Sequence, residues 1–200
     1  MFILNIAVRN IEVGCNMTQK KRPDWTGLLR HQKNIGPGWR PIFAALINHA
    51  KFLSERYDED MKLLKMWEKE KNYCAGWERV KALKERYPTN PFSDFDIDQL
   101  KEKFGSMRCY HHGGNEEFYH AVSFAEYLTS YICEECGRAG TQNKTGWIKT
   151  LCDECRRKKN EETSKRAADL YTRLKRGEKI SSEDLGIPVR QPKGVKNARK

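Results

Sequence analysis

Apolar residues recur at helical intervals through much of the first two-thirds of the chain. Ile42, Phe43, Leu46, Ile47, Ala50 and Leu53 are separated by steps of one or three, which places them on one face of a helix over about 41–56. Pro41 suits its first turn, where the missing N–H would lack a partner anyway. Asp58, Glu59 and Asp60 then read as the acidic first turn of a second helix over about 58–86, because the macrodipole favours anions there. Met61, Leu64, Trp67, Cys74, Trp77, Val80 and Leu83 follow at helical spacing, with Gly76 as a point of bending. Two such helices predict an antiparallel hairpin with Trp67 and Trp77 packed in its core. Tyr87, Pro88, Thr89, Asn90 and Pro91 end it.

Beyond the hairpin the pattern changes. Asp94, Asp96 and Asp98 alternate with Phe95 and Ile97, but a calcium loop counted from Asp94 needs Gly and Glu where Gln99 and Gly105 stand, so cation binding is rejected there. A strand is expected from Gly105 to His111, and Gly113 and Gly114 turn the chain into a helix over about 115–130. Phe118, Val122, Ala125, Tyr127 and Leu128 are its inward residues.

Cys133, Cys136, Cys152 and Cys155 form two Cys-x-x-Cys pairs with fifteen residues between them. Each pair presents two thiolates from one tight turn, and a spacer of this length is a small hairpin that brings the pairs together around one structural zinc ion. Four sulfur ligands fill a tetrahedral shell and leave no open position for catalysis. The expected fold is therefore α+β and mainly helical. An extended N-terminal segment (1–37) leads to a helical hairpin body (38–130), a small zinc ribbon (131–156), a basic amphipathic helix (157–178) and a disordered basic tail (179–200). Met17, followed by Thr18, Gln19, Lys20, Lys21 and Arg22, is a candidate true start.

Charge singles out the end of the chain. The formal charge is +11, and residues 156–200 hold fifteen Lys and Arg against six Asp and Glu, leaving only +2 for everything before them. Arg156, Arg157, Lys158, Lys159, Lys165, Arg166, Arg173, Lys175 and Arg176 surround a narrow stripe of Ala167, Leu170, Tyr171 and Leu174. A wide cationic helix face of this kind is a candidate phosphate-tracking surface for nucleic acid, or for an acidic protein surface. Seven cysteines with four taken by a metal pattern do not make a disulfide framework, which points to a reducing compartment. No apolar run has the roughly eighteen residues of a membrane span.

An enzyme is not expected. His111 and His112 invite comparison with zinc-stabilised His-Asn-His nucleases, but there the histidines lie between the cysteine pairs, and here they precede both. Taken together, Gly38-Trp39-Arg40-Pro41, the run Lys101 to Tyr110, Cys133-Glu134-Glu135-Cys136-Gly137 and the run Gly146 to Glu154 resemble a family of small proteins from tailed bacteriophages and bacteria. The resemblance covers about Gly38 to Cys155, with Ser106 where the family usually has a second Gly and Cys155 where it usually has His. It implies a phage product acting in the bacterial cytoplasm. A looser likeness is to the zinc-containing regulators of the RNA polymerase secondary channel, which join a helical hairpin to two Cys-x-x-Cys knuckles. The expected function is thus a non-enzymatic accessory protein that binds nucleic acid or a nucleoprotein machine such as bacterial RNA polymerase. The alternative is an inhibitor or adaptor that contacts a host protein through its Trp-rich hairpin.

Overall fold

A computed structural model describes residues 23–71, 73–143, 146–181 and 184–185. The candidate start at Met17 and most of the expected basic tail lie outside them. The element order is α1 (Trp25–Leu28), a 3-10 turn (Leu29–Asn34), a second 3-10 turn (Pro37–Trp39), α2 (Arg40–Glu70), α3 (Ala75–Arg86), β1 (Asp96–Lys103), β2 (Ser106–His112), α4 (Glu116–Thr129), β3 (Thr141–Gln142), β4 (Thr150–Leu151) and α5 (Asp153–Lys175). The fold is α+β and mainly helical.

The segment expected to be extended before residue 38 is instead helical from Trp25 to Asn34. Asp24 caps it by accepting from the Gly27 amide at 2.9 Å, and Leu28 and Ile35 drop into the core. The anticipated break near residue 57 is absent. No Gly or Pro occurs between Ile42 and Glu70, so α2 runs unbroken for 31 residues, about 46 Å. Asp58 and Asp60 serve tertiary contacts rather than a helix start: Asp58 accepts from Asn90 Nδ2 at 2.9 Å, and Asp60 lies 3.9 Å from Arg79. The helix stops at Lys71, which adopts a left-handed φ of 53°. The antiparallel hairpin therefore forms from α3 folding back along the second half of α2. Tyr57 Oη donates to the Tyr87 carbonyl at 2.5 Å, and Trp67 and Trp77 are both half-buried.

The first half of α2 carries the core. Phe43, Ile47, Ala50 and Leu53 pack with Phe92, Leu100, Met107, Phe118 and Val122. The aspartate alternation was a strand signal: β1 begins at Asp96 and pairs antiparallel with β2. A bulge between Ile97 and Gln99 inserts Asp98 and reverses the phase, so Leu100 rather than Gln99 follows Ile97 into the core. The outer edge of β2 is closed by α4 side chains. Thr129 Oγ1 accepts from the Met107 amide at 3.0 Å, and Glu126 accepts from the Cys109 amide at 2.8 Å. Of the inward residues expected on α4, Phe118, Val122 and Ala125 are buried and Leu128 half-buried, but Tyr127 is 61% exposed and meets Tyr131 instead, because Thr129, one turn after Ala125, takes the buried place.

Candidate metal centre

The four predicted cysteines converge. Their sulfur atoms all lie within 4.8 Å of one another, and Cys136 Sγ and Cys152 Sγ are 3.6 Å apart. Bonds of about 2.3 Å to a tetrahedral ion would put two sulfurs about 3.8 Å apart, so the cluster is compatible with a metal ion, the wider pairs closing by up to about 1 Å around it. The first pair sits on a turn after α4, where the Gly137 amide donates to the Cys133 carbonyl at 2.9 Å. The second pair straddles the start of α5: Cys152 is its N-cap and Cys155 its third residue. Helix-terminal N–H groups favour anions, so this placement favours thiolates. The helix expected from residue 157 thus begins at Asp153, between the second pair of cysteines, so its start is fixed to the sulfur cluster.

The surrounding charges were not legible in the cysteine spacing. Arg138 Nε donates to Cys136 Sγ at 3.4 Å, and its Nη2 reaches Cys152 Sγ at 3.6 Å and Glu154 at 2.6 Å. Its guanidinium pulls the Cys136 thiol down to about 6, while hydrogen bonding with Cys152 pushes Cys155 up to about 12. Four sulfurs this close cannot all ionise against one arginine, and a cation held among them would supply the missing counter-charge. Bonds from Lys158 and then Arg138 hold Glu154 at about 2, so it stays ionised beside the site. The one sequence hint was position, since Arg138 directly follows the first knuckle's glycine.

Several hydrogen bonds join the centre to the body, among them one from Gln142 Nε2 to the Phe104 carbonyl at 3.1 Å. Trp39, fully buried, donates from Nε1 to the Ile132 carbonyl at 2.7 Å, and the Gly38 amide donates to the Glu134 carbonyl at 2.8 Å. On the opposite side Thr150 Oγ1 donates to the Gly105 carbonyl at 2.5 Å. Buried Glu134 takes Lys149 at 2.7 Å and Lys159 at 3.6 Å, and Glu135 also pairs with Lys159, so one carboxylate-rich knuckle holds both the hairpin and α5.

The nine basic residues singled out from sequence separate into two groups. Arg156 is structural, donating to the carbonyls of Thr141 and Leu151 at 2.7 and 3.1 Å. Arg157 pairs with Glu161, Lys158 with Glu154, Lys159 with Glu135, and Arg173 with Asp184 and Glu178, while Arg166 donates to the Asp184 carbonyl. Only Lys165, Lys175 and Arg176 have no ion-pair or hydrogen-bond partner among the described residues, and Lys175 lies over the Tyr171 ring at 4.8 Å. The wide cationic face is therefore a largely self-neutralised helix with a few spare cations. Its apolar stripe is unpacked as well: Tyr171 and Leu174 are each 59% exposed, and α5 has no buried residue.

His111 and His112 lie at the far end of β2, five and six residues from Ser106, or about 17 and 20 Å along the strand. His111 packs against Phe118 and Tyr119 and bonds the Gly113 carbonyl, and burial lowers its pKa. His112 is exposed and hydrogen-bonded to Asp98 at 2.8 Å, which raises its pKa. Among the described residues no helix is long and apolar enough to cross a membrane. Compared with family models, curated proteins and solved structures, the chain matches none.

Proposed function

We propose that this protein is a non-enzymatic, zinc-organised module that binds nucleic acid, with the ion held by Cys133, Cys136, Cys152 and Cys155 and α5 presented as a cationic arm. The observation that carries the reading is the state of α5. It is a 23-residue helix, about 34 Å long, whose first turn is part of the metal centre and whose side chains are nowhere buried. A helix that contributes nothing to the core yet is held rigidly at one end is placed to meet something outside the chain. The charge says what: residues 156–200 carry a net +9, and Lys165, Lys175 and Arg176, on the helix and at its C-cap, are the cations whose side chains have no ion-pair or hydrogen-bond partner to leave among the described residues. Polyanion binding by such groups releases condensed counterions. A bacterial or phage setting and a polymerase-bound role are extensions of this reading through the family resemblance alone.

The test is fluorescence anisotropy of labelled DNA and RNA with the full-length zinc-loaded chain at several salt concentrations, for wild type and for K165E/K175E/R176E. Three phosphate contacts give a slope of log affinity against log salt of about −2 to −3, on which the triple variant loses most. A rival reading, in which a host protein docks on the hairpin end, is favoured by exposed Leu63, Met66 and Tyr73. It takes precedence if no oligonucleotide binds even at low salt.

A further inference from the structure

The β1–β2 hairpin turns through two residues, Phe104 and Gly105, with φ of 54° and 70°. Positive φ at both central positions defines a turn for which Asn-Gly is the favoured pair, because a side chain such as Phe is crowded there and Asn is tolerated. Phe104 is also 65% exposed, so neither backbone preference nor burial accounts for it. A residue held against its conformational preference points to a role beyond folding. Across from it stands Trp147, 75% exposed on the β3–β4 hairpin. Its exposure is not slackness: Asn143 Nδ2 donates to the Trp147 carbonyl at 3.0 Å and Asn143 Oδ1 accepts from the Lys149 amide at 2.5 Å, which holds the backbone on both sides. Phe104 and Trp147 line one cleft of about 320 Å³, at the small end of ligand sites and suited to a single flat ring.

The sheet face that leads to this cleft is basic. In the register Lys101 opposes Arg108, Lys103 opposes Ser106, and Gln99 opposes Tyr110, so these side chains share the side turned away from buried Leu100, Met107 and Cys109. Lys101 lies 4.9 Å over the Tyr110 ring and Lys103 5.4 Å over Phe104. Neither lysine has a carboxylate partner among the described residues, Lys101 donating to Gln99 Oε1 at 2.6 Å; Arg108 donates to Ser106 Oγ at 2.7 Å and to the Met107 carbonyl at 2.8 Å, and its nearest carboxylate is Glu126, at 3.8 Å. A surface that alternates exposed rings with cations, two of them without a carboxylate, is complementary to a strand of phosphates carrying unpaired bases. A duplex keeps its base faces stacked inside and has none to offer.

The geometry points to a single-strand nucleic-acid site at this corner of the molecule, in which an unpaired base stacks between Phe104 and Trp147 while Lys101, Lys103 and Arg108 take the flanking phosphates. Glu102, which accepts from the Gly105 amide at 2.8 Å, also lines the cleft, and its carboxylate favours a base edge bearing amino donors over a phosphate there. The inference deepens the nucleic-acid reading above and rests on it: α5 supplies affinity without readout, and this corner selects for unpaired bases.

Anisotropy titrations with a labelled mixed-sequence single strand and with the same sequence as a duplex separate the two, using the full-length zinc-loaded chain as wild type, F104N, W147A and K165E/K175E/R176E. The expected result is single-strand binding at least about tenfold tighter than duplex binding, and a further loss of between about fivefold and a hundredfold in each aromatic variant, with duplex affinity unchanged. F104N is expected to melt no lower than wild type, since Asn relieves the turn. Equal affinity for both forms, either aromatic variant binding the single strand as wild type does, or a lowered melting temperature for F104N overturns the single-strand site and leaves the α5 reading standing if the triple variant still weakens binding. Absence of binding to every oligonucleotide at low salt removes both.

Discussion

Gly38→Ala tests whether the metal centre is held on the body by close backbone packing. A Cβ at this position would overlap the carbonyl oxygen of Cys133 and the nitrogen of Gly137 and would stand 2.9 Å from the nitrogen of Cys136. All three are backbone atoms of the first knuckle, so no side chain can swing away to make room. Elsewhere the exchange would stabilise by about 0.4–1 kcal/mol through the unfolded chain's entropy. Here the knuckle must move, and the hydrogen bonds from the Gly38 amide to Glu134 and from Trp39 Nε1 to Ile132 stretch or break. Two such bonds, one from a fully buried indole, are together worth about 3 kcal/mol when a donor is left unsatisfied. The net loss is then about 2 kcal/mol, or about 4–8 °C in melting temperature for a domain of this size. Circular dichroism melting of metal-loaded G38A against wild type reads it directly. An unchanged or raised melting temperature would refute the argument that this glycine exists for close approach.

Three further outcomes follow from the same structure. Thr129→Val keeps the shape of a fully buried side chain but leaves the Met107 amide without its acceptor, which should cost about 1–3 kcal/mol in denaturant unfolding, whereas Thr129→Ser should recover most of it. Chelation, or Cys155→Ala, should uncouple α5 and lower the melting temperature markedly, while Cys155→His should retain one metal equivalent by mass spectrometry, because imidazole replaces thiolate in such sites. His111 is held neutral by burial, with its folded pKa below the ordinary 6.5, so the unfolded chain binds more protons and the stability it contributes is full above pH 6.5 and is lost as pH falls through that depressed value. His112 has the opposite sign, its Asp98-raised pKa giving stability present below 6.5 and lost on the alkaline side, but its exposure keeps the effect small. Unfolding titrations between about pH 5 and 8 should therefore show a weaker acid limb in His111→Phe than in wild type, and an identical limb would contradict the assignment.

The features legible in the sequence were those set by local spacing. Two Cys-x-x-Cys pairs bring four sulfurs to one point because each pair closes its own turn and the spacer is a short hairpin, so little else in the chain affects the outcome. The α4 helix was equally plain, its apolar period ending near the first knuckle and its Asn115 cap accepting from the Phe118 amide. Tertiary structure decided the rest. Asp58, Glu59 and Asp60 look like a helix start in isolation, and only contacts with Asn90 and Arg79 show that acidic residues can sit within an unbroken α2. The bulge at Asp98 hides β1 from a simple alternation, because an extra residue shifts the inward phase. The basic run behind Cys155 shows the limit most clearly. Counting charges along a chain records how many cations are present, but Coulomb attraction acts through space and is decided by which carboxylates the fold brings within a few ångströms. Glu134, Glu135 and Asp184 occupy cations that the sequence leaves free, and the same folding sets Phe104 beside Trp147, which are more than forty residues apart and share no local pattern.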